Sequence, residues 1–243
     1  MTQLNGETKA KSVATMFARI SERYDLMNTI MTGGAHYRWR NLAAKLATEG
    51  LPSGPALDVA TGTGDLAFAL THRPEVKSVV GLDFVPEMLN LAKKKERHSH
   101  LRRPVTWSLG DALALPFPDN TFICATSGFA MRNVADQHQA LSEMARVVLP
   151  GGRVTILELT PADSRLSRLL ASGFSRISPL LGQLLADDRS AYTYLPRSVE
   201  TFPTARELSR LMENAGLKNV RYRLLGMGLV ALHTGEAKYS QVS

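Results

Sequence analysis

Cysteine is almost absent from this 243-residue chain: Cys124 stands alone. No disulfide can form within the chain, and the apolar run around Cys124 makes a small core residue its expected role. Nor does any apolar run approach the ~18 residues that a membrane span requires. The polar stretch from Thr2 to Ser12 predicts no secretory leader. These absences point to a reducing, cytoplasmic setting. The six histidines are scattered, without i, i+4 pairing or cysteine company, so no metal site is expected. Interleaved basic and aromatic residues, as single-strand RNA binders use, are missing too. So are internal repeats, low-complexity tracts and domain linkers, and residues 1–243 read as one domain.

Bulk composition is ordinary for a globular α/β protein, with 44% apolar and 21% charged residues. The net charge of +7 is not. It suggests an acidic partner, either nucleic acid or an anionic membrane surface. The basic residues are spread out, in short groups such as Lys93-Lys94-Lys95 and Arg102-Arg103, which read as solvated surface. A nucleic-acid-binding or RNA-modifying protein stays open as a second class.

The chain is organised around Ala56 to Asp65, A-L-D-V-A-T-G-T-G-D. An apolar strand runs into a glycine pair, and Leu66 to Leu70 then begins a buried helix. Gly62 and Gly64 permit positive φ and let a ligand lie against the main chain, beside the free N–H groups of the following helix. Val79 to Asp83 reads as a second strand ending in an acid 21 residues after Gly62, where such folds hold the adenosine ribose. Gly62-x-Gly64-x-x-Ala67 also satisfies the dinucleotide fingerprint. The surrounding acids (Asp58, Asp65, Asp83 and Asp111) would repel a pyrophosphate. They suit S-adenosylmethionine, which has no phosphate and carries a sulfonium and an ammonium. For Asp65, capping of the helix is an equally available role.

Ahead of this core, residues 8–48 look helical. Val13, Met16, Phe17 and Ile20 recur at helical spacing, and a second helix is expected from His36 to Thr48. The polar connection between them, through Tyr24 to Asn28 and Gly33-Gly34, makes the segment a lid over the sheet. Trp39 reads as core packing; Tyr24 and His36 flank the glycines, where chemistry is as plausible as packing. Further strands are expected at Val105–Leu109, Thr121–Ser127 and Arg153–Leu159, with helices at Pro86–Lys95 and Gln137–Val148. Ligands of open α/β sheets bind outside the carboxyl ends of the strands, which sets Arg132 and Asn133 beside the transferable group. From Ser164 to Ala186 a leucine-rich stripe is broken at Pro179 and flanked by Arg165, Arg168 and Arg176. It reads as a packed helix pair or as an apolar lid able to meet a lipid. Lys218 to Thr234 reads as two strands around Gly226-Met227-Gly228.

Four segments together resemble a known family. They are Tyr24-Asp25-Leu26-Met27-Asn28 with His36 and Trp39, Leu57 to Asp65 with Asp83, and Leu115 to Phe122 with Phe129 to Val134. The fourth comprises Gly182, Tyr192 to Leu195 and Ala231 to Gly235. The chain is similar, over about residues 10–235, to the quinone C-methyltransferases that act on demethylmenaquinol and the related ubiquinone precursor, the UbiE/MenG family. It departs from the pattern at Thr32, Ala130, Met131 and Leu149.

The resemblance implies a class I S-adenosylmethionine-dependent methyltransferase fold: α/β, Rossmann-like, with a mostly parallel seven-stranded sheet. It implies N-terminal helices over 8–48 and a helical insertion over 164–200. Its cofactor is S-adenosyl-L-methionine, contacted by Asp58, Gly62, Thr63, Gly64, Asp83, Phe84, Asp111, Ala112 and Ser127. The reaction is C-methylation of a prenylated hydroquinone, and a repurposed aromatic acceptor is the alternative. Arg132, always charged, would stabilise an oxyanion or orient a water. Tyr24, His36 or Asp25 would relay a proton, and Asn133 would bond a ring oxygen. Implied partners are the quinol and an anionic membrane at the inner face of the cell membrane, with no nucleic acid. The oligomeric state is left open, a homodimer being one option.

Overall fold

The computed structural model describes residues 6–162 and 189–238. Two helices come first, α1 (Gly6–Thr32) and α2 (Ala35–Thr48), separated by Gly33 and Gly34 with φ of 57° and 77°. Strands and helices then alternate: β1 (Gly54–Val59), α3 (Asp65–Thr71), β2 (Val76–Asp83), α4 (Pro86–Glu96), β3 (Val105–Leu109), β4 (Phe122–Gly128), α5 (Gln137–Val147) and β5 (Val148–Leu159). From residue 189 onward lie α6 (Arg189–Glu200), α7 (Ala205–Asn214), β6 (Leu217–Leu225) and β7 (Val230–Ala237).

The seven strands form one sheet in the order β3-β2-β1-β4-β5-β7-β6. The first five are parallel, and β7 runs antiparallel to both β5 and β6. This is the Rossmann-like, mostly parallel sheet expected from the sequence. The order turns back between β1 and β4, so a crevice opens outside their carboxyl ends. Both strands are almost continuously buried, as central parallel strands covered on two faces should be. One face packs Leu57, Ile156 and Leu141 against Leu208 and Met212 of α7. The other packs Ala56, Cys124 and Leu157 against Ala43 and Ala47 of α2 and Leu70 of α3. Cys124 is fully buried, and burial pushes its thiol up to about 12, so it stays an uncharged core atom.

Two boundaries differ from expectation. The connection foreseen through Tyr24–Asn28 is helical, because Ile20, Tyr24, Met27 and Met31 continue the apolar stripe of α1. Thr29 and Thr32 send their hydroxyls back to the carbonyls of Asp25 and Asn28 (2.9 and 2.7 Å) instead of breaking the helix. β5 begins at Val148, not Arg153, and carries Pro150-Gly151-Gly152 through a register irregularity opposite Phe122–Cys124. The leucine stripe over 164–186, with Arg165, Arg168 and Arg176, lies outside the described residues, as does Gly182; α6 is the described part of that insertion.

Gly152 is what lets β5 pass so close to β4. A Cβ there would lie 2.4 Å from the Ile123 carbonyl oxygen and 2.9 Å from that of Leu149. Gly152→Ala should therefore destabilise the fold by about 1–3 kcal/mol through overpacking against immovable backbone. A lower urea midpoint at unchanged m-value is the expected result.

Candidate active site

The turn from β1 into α3 is shaped by three left-handed residues, Ala60, Gly62 and Gly64 (φ 53°, 58° and 87°). The two glycines have different neighbours. A Cβ on Gly64 would press on the Trp107 ring at 2.7 Å, whereas one on Gly62 would meet nothing within 4 Å. Gly62 thus presents open backbone to a pocket. Asp83, at the end of β2, braces the turn: Oδ2 accepts the Gly62 N–H at 2.7 Å and Oδ1 accepts the Val85 N–H at 2.9 Å. Burial raises its carboxyl.

Asp58 forms the inner wall. Its oxygens accept the hydroxyls of Thr61 (2.6 Å) and Thr126 (2.8 Å) and no basic side chain. Burial lifts it from the ordinary 3.8 to about 6. Phe84, Asp111 and Ala112 complete the outer side of this pocket with Thr63. Seven of the nine expected cofactor residues therefore share one wall. Gly64 sits behind it as the N-cap of α3. Ser127 lies in β4 just before Gly128, its buried hydroxyl without a partner among the described residues. Open backbone at Gly62 and an unneutralised Asp58 suit a nucleoside that carries positive charge rather than phosphate.

A second cavity of about 820 Å³ lies beside the first. Met31, Trp39, Leu159, Leu195, Val199 and Val230 make it largely apolar; Tyr24, Asn28, His36, Arg132 and the acid Glu200 are among its polar points. Tyr24 and Phe129 border both cavities. Phe129 has φ 59°, a strained value for a residue with a side chain.

Arg132 and Asn133 follow β4 in a single 3-10 turn, Met131–Asn133, and divide between the two spaces. Arg132 lines the apolar cavity and Asn133 the acid-lined pocket. Arg132 Nη1 donates to Glu158 Oε1 at 2.6 Å and to the Phe129 carbonyl at 2.5 Å. Asn133 Oδ1 accepts the Tyr194 hydroxyl at 3.1 Å. Glu158 did not stand out in the sequence, and Tyr194 did so only within the Tyr192–Leu195 segment of the family resemblance, with no role attached. An acid one residue before the end of a central strand was the available signal for Glu158.

His36 is engaged at both nitrogens, by Arg40 Nη1 at Nδ1 and by the Thr29 hydroxyl at Nε2 (3.2 Å). Burial first, then the Arg40 charge, pushes it down to about 4, so it is neutral at physiological pH. Arg40 also faces Asp65 at 3.6 Å. Asp65 meets Lys95 Nζ at 2.5 Å, and Lys95 reaches Asp25 of α1 at 2.7 Å. Asp25 in turn accepts the Thr63 hydroxyl at 2.6 Å. Asp65 is thus a paired acid rather than a helix cap, and Lys95 is an internal tie rather than a solvated lysine.

An acid-lined pocket thus abuts an apolar chamber. The model of the ubiE/COQ5 methyltransferase family matches residues 2–237. A demethylmenaquinone methyltransferase of Thermus thermophilus is 45% identical over 222 residues, covering 91% of this chain and 99% of that protein. The ubiquinone/menaquinone biosynthesis C-methyltransferase UbiE of Saccharophagus degradans is 39% identical, covering 93% and 92%. Among solved structures, an S-adenosylmethionine-dependent methyltransferase of Thermotoga maritima, described as a possible histamine N-methyltransferase, superposes with a TM-score of 0.63. It is 20% identical and covers 92% of this chain and 99% of its own. That likeness speaks for the fold; the sequence matches, running through the glycine turn, the Arg132–Asn133 turn and the α1 segment alike, go further, and the chain belongs to the ubiE/COQ5 methyltransferase family.

Proposed function

We propose that this protein uses S-adenosylmethionine to methylate a ring carbon of a prenylated hydroquinone in menaquinone or ubiquinone biosynthesis. The observation that carries this reading is the meeting of the two cavities at Tyr24 and Phe129, with Arg132 on the apolar side. The named activities of the relatives supply the acceptor class.

S-adenosylmethionine, when bound, supplies an electrophilic methyl group on a cationic sulfur. Asp83, Asp111 and the open backbone at Gly62 suit its ribose and base, and Asp58 suits its positive charge. The apolar walls around Trp39 and Leu195 hold the acceptor ring and exclude water, so that alignment with the donor does much of the catalytic work. Arg132 keeps negative charge on the acceptor's hydroxyl oxygen, which makes the neighbouring ring carbon nucleophilic. Tyr24, on the border of both cavities, relays the proton, accepting it at its hydroxyl oxygen as it passes its own on to solvent. His36, neutral and bonded at both nitrogens, serves instead to hold Arg40 and the end of α1.

A prenyl tail brings the acceptor from a bilayer. No helix among the described residues is long and apolar enough to cross one. Contact is therefore peripheral, at the inner face of the cell membrane. Leu26 and Ile30 on the outer side of α1, Tyr37 of α2, and Met227 at the cavity rim are all exposed apolar residues that support it.

Incubation with labelled methyl donor and a demethylmenaquinol analogue should label the ring carbon. Label on oxygen alone, or none, counts against the reading. Donor affinity should be full above pH 7 and should fall as pH drops through about 6, where Asp58 gains a proton. Stability of the empty protein should move the other way. Because the folded carboxyl binds its proton more tightly than the unfolded one, stability decreases as pH rises from 3.8 to about 6. Calorimetric titration at pH 5 and 7.5 separates the two trends, and Asp58→Asn should flatten the first. Co-sedimentation with anionic vesicles should be strong at low salt and weaker at high salt. Protein that stays in the supernatant throughout while methylating a short-chain quinol removes the membrane contact.

A further inference from the structure

We propose that Glu158 is a positioning residue for methyl transfer, fixing Arg132 so that Nη2 of its guanidinium meets the acceptor's hydroxyl oxygen. This rests on the reading of Arg132 as the group that stabilises the acceptor oxyanion, and assigns the geometry by which it does so.

Glu158 is 1% exposed and lies one residue before the end of β5. Both of its oxygens are committed. Oε1 accepts Arg132 Nη1 at 2.6 Å and the Leu159 N–H at 2.8 Å, and Oε2 accepts the Arg132 main-chain N–H at 3.2 Å. One carboxylate thus grips Arg132 at its backbone and at its far end. The second hydrogen of Nη1 is taken by the Phe129 carbonyl at 2.5 Å. A guanidinium is a rigid planar fork of five N–H donors. With its backbone held and both Nη1 hydrogens spent, the plane cannot turn about its own axis.

What remains is Nη2, which makes no hydrogen bond among the described residues. Nε is buried without a partner and is out of reach of the cavity. Arg132 lines the apolar cavity, so an oxygen arriving there meets the Nη2 end of the fork. Glu158 does not line that cavity, and its oxygens already accept three hydrogen bonds. It therefore acts through Arg132 and not as a base. The adjacent residue is held in a parallel way, with Tyr194 donating to Asn133 Oδ1 at 3.1 Å.

The test measures methyl transfer to a series of hydroquinones of graded hydroxyl acidity, with wild type, E158D, R132K and the double variant. E158D keeps the charge that Arg132 needs but shortens the grip by one methylene. It should lower kcat by about 100-fold, as a misplacement near 1 Å does, with KM and donor Kd unchanged. The loss should shrink as the acceptor hydroxyl becomes more acidic and needs less help to ionise. In the R132K background E158D should add less than about twofold, since residues acting through one another are not additive. Should E158D melt far below wild type, E158Q is run through the same series. A loss that is equal for every acceptor and multiplies with that of R132K overturns the inference and makes Glu158 a support of the fold alone. Wild-type protein that methylates none of the series overturns the underlying reading, and the inference with it, before any variant is compared.

Discussion

Acids crowd the carboxyl edge of the sheet, and the need to balance each of them in a dry setting organises the molecule. Asp58, Asp83 and Glu158 are at most 5% exposed, and the Asp65 side chain is 8% exposed. Each is answered by a different kind of partner. Main-chain N–H groups hold Asp83, and in doing so they set the glycine turn. Cations hold Asp65 and Glu158. Hydroxyls of Thr61 and Thr126 and the Ala67 N–H hold Asp58 with no basic side chain in contact, so burial wins and pushes its carboxyl up to about 6, leaving it charged at neutral pH. Breaking a buried ion pair by removing one partner costs about 3–5 kcal/mol, so Arg132, paired with the fully enclosed Glu158, is a structural necessity before it is anything else.

The balancing of Asp65 also fixes α1. The apolar stripe of that helix, Ile20 and Met27 with Met16, Phe17, Tyr24 and Met31, packs largely within itself. Besides the Thr29 and Thr32 contacts with His36, it is bonded to the body through Asp25, held by the same Lys95 that neutralises Asp65 and by the Thr63 hydroxyl of the glycine turn. Tyr24 is the next residue back along the helix. The glycine turn is thus bonded directly to the residue beside the one that borders the second cavity.

These dependencies explain which parts were legible in the sequence. The β1 turn could be read because its constraint is local: glycines with positive φ and an acid one strand later carry the signal in a few positions. The Leu57, Ile123 and Ile156 strands announced themselves as apolar runs between turn residues. Arg132 and Asn133 were legible from topology, lying just past the carboxyl end of a central strand. The roles of Lys95, Glu158 and Tyr194 were not, because each acts through a partner 30, 26 or 61 residues away. The departure at Thr32 is conservative for a physical reason. Its hydroxyl donates to the Asn28 carbonyl at 2.7 Å and stands 3.5 Å from the His36 N–H, and a serine hydroxyl can do the same.

On the proposed reading of Arg132, a preference for carbon over oxygen follows from two consecutive residues. Arg132 faces the apolar cavity and Asn133 the acid-lined pocket, and neighbouring Cα atoms are about 3.8 Å apart. In an acceptor whose hydroxyl oxygen meets Arg132, that oxygen is tied to a cation and drawn away from the donor side. The ring atom next to it is then the one turned toward Asn133. Phe129 reinforces the geometry, since its strained backbone carries the carbonyl that helps to hold Arg132 while its ring divides the cavities. Related sheets host many chemistries; on the proposed reading, the selectivity lies in a turn of three residues and in the acid that grips its middle one.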